Sequence, residues 1–95
     1  MSAVIDTAVA ALSEKFAGGF AGIAKFVIPG EGGIVIDGNG VRAGDDDADV
    51  TLTADADVFQ QILAGEMNPT TAYMTGKLTI DGNLGLAMQL GSALA

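Results

Sequence analysis

A chain of 95 residues with 49% hydrophobic content and a mean hydropathy of +0.45 is unusually apolar for one small domain over 1–95, where surface-to-volume scaling demands polar cover. Twelve acidic residues against four basic ones give a net charge of −8, which excludes a phosphate-tracking surface, and with it a nucleic-acid partner, and opposes anionic membrane surfaces. With no Cys and no His, disulfides, thiol chemistry, imidazole bases and ordinary zinc sites are excluded as well.

The apolar surplus has three physical sinks: a membrane, a partner or an internal ligand. A spanning helix needs about 20 apolar residues, and the longest charge-free run, residues 82–95, is shorter and holds three Gly. No basic stretch opens the chain, Asp6 interrupts its first apolar segment, and Ser92-Ala93-Leu94-Ala95 is no peroxisomal address. The cytoplasm is the compartment expected.

In chain order, Val4, Ile5, Ala8, Val9, Leu12 and Phe16 form one helical stripe, with Asp6, Ser13 and Glu14 off it. Ser2 is the expected cap and Gly18-Gly19 the stop. Ala24, Phe26 and Ile28 alternate with Ile23, Lys25 and Val27, a strand apolar on both faces and expected to be covered on both for part of its length. A turn at 29–33 leads to a second strand at 34–37. Gly38-Asn39-Gly40 then reads as a hairpin tip before a short strand at 41–43. In 49–53, Val50 and Leu52 point in and the threonines out.

The period then turns helical. Val58, Phe59, Ile62 and Leu63 share a face, capped by Thr53 or Asp55 and stopped at Gly65. Asn68-Pro69 opens a short helix that runs through Ala72, Tyr73 and Met74 to Gly76. Residues 77–80 form the last strand. In the final helix Leu84, Leu86, Ala87, Met88, Leu90 and Leu94 cover most of the circumference, so burial on most sides is expected, against a ligand or a partner. Met67, Met74 and Met88 add adaptable apolar surface to this third of the chain.

Each catalytic motif fails on inspection. A calcium loop starting at Asp45 needs Gly at its sixth position and Glu at its twelfth, where Val50 and Ala56 stand. Gly38-Asn39-Gly40-Val41-Arg42-Ala43 fits a dinucleotide fingerprint, but Gly44 and three aspartates follow in place of a helix. No serine has a His or Lys partner in a known spacing. The acidic run at 45–49 reads as a solvated turn.

The stretch Ala48-Asp49-Val50-Thr51-Leu52-Thr53, a helix ending Leu63-Ala64-Gly65, then Asn68-Pro69, then Tyr73-Met74-Thr75-Gly76-Lys77-Leu78-Thr79-Ile80-Asp81-Gly82-Asn83 and an apolar helix resembles the sterol carrier protein type two family. The detailed match covers 48–90, about half the chain, and looks like a compact bacterial-type member. The resemblance implies an α+β fold: a five-stranded, mainly antiparallel sheet covered by about four helices and enclosing an apolar tunnel. It implies loose binding of sterols, fatty acids, fatty acyl groups or phospholipids, with no cofactor and no reaction.

The expected ligand is therefore a lipid or other apolar small molecule, held by Phe26, Phe59, Leu63, Met67, Tyr73, Met74, Leu84, Met88 and Leu90. Transient membrane contact and a monomer or weak homodimer complete the expected partners. The competing expectation is an interaction or accessory module for lipid or quinone metabolism, its last helix packed on a partner or a second copy.

Overall fold

The computed structural model describes residues 3–94; Ser2, the expected cap of the first helix, lies outside the described residues. The order is α1 (Ala3–Lys15), β1 (Ala24–Ile28), β2 (Gly32–Asp37), β3 (Gly40–Ala43), β4 (Val50–Ala54), α2 (Ala56–Leu63), α3 (Pro69–Met74), β5 (Leu78–Gly82) and α4 (Leu84–Leu94). The five strands lie in the order β3-β2-β1-β4-β5. β1 runs parallel to β4, and the other three pairings are antiparallel. This is the α+β architecture expected, with an open mixed sheet.

Alternation along each strand sends one set of side chains to a single face. Ile34, Phe26, Leu52 and Ile80 are register partners across four strands, and Ile36, Ala24 and Val50 make a second row. Helices cover this face. α1 brings Ile5, Ala8, Leu12 and, just past its end, Phe16; α2 brings Phe59 and Ile62; α4 brings Ala87, Leu90 and Leu94. Each large side chain so buried contributes about 1.5–3 kcal/mol. No polar or charged residue is buried among those described.

The opposite face is not covered by helices, and β1 is covered there for part of its length only. Val27 is half-buried there and lies outside the core. Val35 is fully buried on that face by a different means. Its register partners Lys25 and Arg42 flank it, and both are drawn over it by the acidic loop: Lys25 Nζ lies 3.0 Å from Asp45, and Arg42 lies 2.7 Å from both Asp37 and Asp46. The acidic run is thus a strap across the outer face. Asp49, its last member, accepts from the Ile23 N–H at 3.2 Å and so ties β4 to the start of β1.

The β2–β3 tip folds as a hairpin, with Asp37 Oδ1 accepting from the Asn39 N–H at 2.9 Å. The Arg42 side chain and that N–H hold the Asp37 carboxyl below its ordinary value. A lowered folded value means the contribution is full above the ordinary carboxylate range and is lost as pH falls through the folded value. In Arg42→Gln, the Asp37 titration followed by NMR is expected to move up towards the ordinary value; an unmoved titration would show that the guanidinium is not its main cause.

Gly82 places α4. At φ +111° its backbone passes so close to β4 that any Cβ would strike the Asp49 carbonyl oxygen. That same oxygen accepts from the Asn83 N–H at 2.9 Å. The chain therefore leaves β5 and turns at once into α4.

Candidate functional site

Two helices and the edge of the sheet build an apolar concavity. α3 is set by Asn68, whose Oδ1 accepts from the N–H groups of Thr70 (2.8 Å) and Thr71 (3.4 Å), with Pro69 at the first helical position. It stops at Gly76, where the Lys77 N–H reaches back to the Ala72 carbonyl at 2.9 Å. α4 starts with Asn83, whose side chain accepts from the Leu86 N–H at 3.1 Å. Both starts satisfy N–H groups that a helix leaves without internal partners.

Between these helices lies a cavity of about 310 Å³. Its floor is Leu52, Leu78 and Ile80 on the inward face of β4 and β5. One wall is Pro69, Thr70, Tyr73 and Met74 on α3. The other is Leu84, Ala87, Met88 and Gly91 on α4, spaced i, i+3, i+4, i+7 along one helical face. No lining residue is charged, and the only hydroxyls are those of Thr70 and Tyr73. Such a lining can exclude water from an apolar chain; it holds no nucleophile–base pair and no cluster of metal ligands. Among the described residues no hydrogen bond or ion pair joins α3 to α4.

α4 corrects the expectation of burial on most sides. Ala87, Leu90 and Leu94 are in the core, whereas Leu84 is 54% and Met88 74% exposed. One apolar face serves the core and the other borders the cavity, Ala87 sitting where the two meet.

The nine residues named from the sequence divide accordingly. Tyr73, Met74, Leu84 and Met88 come together around the cavity. Phe26, Phe59 and Leu90 do not reach it; they are buried in the core, the two rings tilted against each other with centroids 4.9 Å apart. The Phe59 ring covers the middle of the cross-strand row, and so fills the space a ligand would need there. Leu63 and Met67 are half-buried at the edge of the core. Leu52, Pro69, Thr70, Leu78, Ile80, Ala87 and Gly91 line the cavity without having been singled out. The inward alternation of Leu52, Leu78 and Ile80 and the spacing of Ala87 and Gly91 from Leu84 are the signals that find five of them.

Comparison with known proteins gives three findings. A family model described as the SCP-2 sterol transfer family matches residues 6–95. Hydroxysteroid dehydrogenase-like protein 2 of Xenopus laevis is 40% identical over 81 residues, covering 77% of this chain and 19% of its own length. Sterol carrier protein 2 of Homo sapiens is 53% identical over 47 residues, 48% of this chain and 8% of its own. The chain thus spans less than a fifth of the length of these curated relatives. Among solved structures, sterol carrier protein-2 of Aedes aegypti, determined with the C16 fatty acid palmitate, superposes with a TM-score of 0.80 at 24% identity, covering 100% of this chain and 97% of that one, a likeness of fold. The sterol carrier protein domain 2 of Helicoverpa armigera gives 0.75 at 29% identity, over 96% and 85% of the two chains.

Proposed function

We propose that this chain, which belongs to the SCP-2 sterol transfer family, binds and carries an apolar lipid without chemical change, holding it in the cavity between α3, α4 and the β4–β5 edge. The observation that carries the reading is an uncharged lining around about 310 Å³ of space. The Aedes aegypti relative of the same fold was solved with palmitate, which supports a fatty chain as the ligand. Leu52, Leu78 and Ile80 would meet the chain from below, and Tyr73, Met74, Leu84 and Met88 would close over it. The methionines suit this role because an unbranched thioether adapts to irregular shapes.

Size narrows the ligand class. A methylene is close in bulk to a water molecule, whose share of liquid volume is about 30 Å³, so the cavity takes a single acyl chain of about ten carbons. Apolar contact selects weakly by shape, so the acyl head group and small changes of chain have little influence. The charge of −8 keeps so apolar a chain dispersed in water, and the cytoplasm is our proposed setting. No described helix is long and apolar enough to cross a membrane.

A series of saturated fatty acids tests this by calorimetry. Each added methylene is worth about 0.8 kcal/mol, near four-fold in Kd. Affinity is expected to climb at that rate up to about ten to twelve carbons and then flatten. Organic extraction and mass spectrometry of the purified protein should recover single-chain lipids. No binding at micromolar concentration across the whole series, with nothing extracted, would end the carrier reading.

A further inference from the structure

Apolar contact is indifferent to the shape of a head group, but a cavity wall is never indifferent to its charge. No residue lining this cavity is charged. Residues 67–95, which supply every lining residue except Leu52, hold one cation and one anion, Lys77 and Asp81. Both are exposed, as is Glu66 just before α3, and none of the three lines the cavity. Asp81 alternates with Ile80 and so belongs to the outer face of the sheet. Residues 1–66 hold eleven of the twelve acidic residues and three of the four basic ones, so the whole net charge of −8 falls there. The helix starts beside the cavity are also occupied: the N–H groups of Thr70 and Thr71 donate to Asn68, and that of Leu86 donates to Asn83. An anionic head group therefore finds no counter-ion in the lining and an acidic body around it.

What the lining does offer is a pair of hydroxyls. Thr70 and Tyr73 both line the cavity. They stand three positions apart on α3, which places them side by side on one helical face. Neither hydroxyl has a hydrogen-bond partner among the described residues. Each can donate to a neutral oxygen and accept from an alcohol.

We propose that the cavity prefers single-chain lipids with an uncharged, oxygen-bearing head group, a monoacylglycerol or a fatty alcohol, over the fatty-acid anion, and that Thr70 and Tyr73 receive that head. The proposal rests on the carrier reading and deepens it. A carboxylate drawn against this wall gives up water and gains hydroxyl hydrogen bonds, with no cation to offset the loss. The acidic body adds a repulsion that reaches about 10 Å at 0.1 M salt. An ester carbonyl or an alcohol gives up less water and recovers its hydrogen bonds from the same two hydroxyls. The neutral lipid thus keeps the full gain of burying its chain.

Three amphiphiles with the same ten-carbon chain test this by calorimetry, below their micelle concentrations and in about 100 mM salt. They are monodecanoylglycerol, which is neutral, decanoate, which is anionic, and decyltrimethylammonium, which is cationic. Monodecanoylglycerol is expected to bind about ten-fold more tightly than decanoate, and no more weakly than the cation. Tyr73→Phe removes one hydroxyl and keeps the ring. It should weaken monodecanoylglycerol about five-fold, the contribution of one hydrogen bond. Binding of decyltrimethylammonium, whose head makes no hydrogen bond, should stay within about two-fold in that variant. Decanoate binding as tightly as monodecanoylglycerol would overturn the proposal. So would a cation that binds tightest, since the field of the acidic body would then outweigh the lining. A Tyr73→Phe variant that leaves monodecanoylglycerol unchanged, or weakens all three alike, would overturn it too. The carrier reading is judged apart from these outcomes. If all three bind alike, the cavity holds chains without regard to their heads and the carrier reading stands alone; if none binds at micromolar concentration, both fall.

Discussion

Phe59→Ala is expected to lower the free energy of unfolding by about 3–5 kcal/mol, the cost of emptying a fully buried aromatic site. Phe59 is 1% exposed and its ring lies on Phe26, which occupies the centre of the cross-strand row. Removing it leaves a void against Phe26 that neighbouring strands, fixed in register on both sides, cannot close. Small domains have only about 5–15 kcal/mol of stability in all, so the variant should melt far below the parent in urea and on heating. The folded fraction should still bind a fatty acid with a Kd within about two-fold of the parent, because the ring does not reach the cavity. A folded fraction that binds ten-fold more weakly would move Phe59 into the ligand site.

The second large effect runs the other way in stability. Gly91 lines the cavity from α4, and a Cβ there would stand 3.7 Å from the Pro69 Cβ, an ordinary contact. A leucine at this position has room to begin but must then extend into the cavity. Its four side-chain carbons displace about four methylenes of ligand, at about 0.8 kcal/mol each. Gly91→Leu is therefore expected to weaken binding of a ten-carbon acid by about two-hundred-fold. In a helix interior the same change gains close to 1 kcal/mol in propensity, so the variant should unfold at equal or higher denaturant concentration. Calorimetry with parallel urea titrations reads both. Unchanged affinity in a stable Gly91→Leu would remove the cavity as the binding site.

Local signals in the chain are strong, and the elements follow them. The α1 stripe, the Asn68-Pro69 start, the glycines at 65 and 76 and the Gly38-Asn39 tip each specify their structure through the backbone chemistry of one or two residues. What the sequence carries less clearly is whatever depends on distant partners. Nothing in residues 24–28 announces that β1 will lie parallel to a strand 26 positions later in the chain. Val27 and Val35 resemble inward residues because valine is valine on either face; only the Lys25 and Arg42 pairs with the acidic loop explain how one of them is hidden. The site shows the same limit. Phe26, Phe59 and Leu90 have the character of ligand contacts and of core alike, since apolar contact carries no direction. The resemblance supplied the fold, and geometry was needed to separate the cavity from the core. Tyr73, Met74, Leu84 and Met88, named in the same breath, are the ones that the fold places around the cavity.

The absence of a polar bond between α3 and α4, among the described residues, sets how the cavity can move. Parting the two helices costs only the hydration of apolar surface. Such a cost involves no proton, and it carries the heat-capacity signature of water around hydrocarbon. Cooling weakens it, and solutes excluded from protein surfaces strengthen it. A seam latched by an ion pair would have one closed register to return to. This seam has none, so apolar contact alone decides how closely the two helices stand.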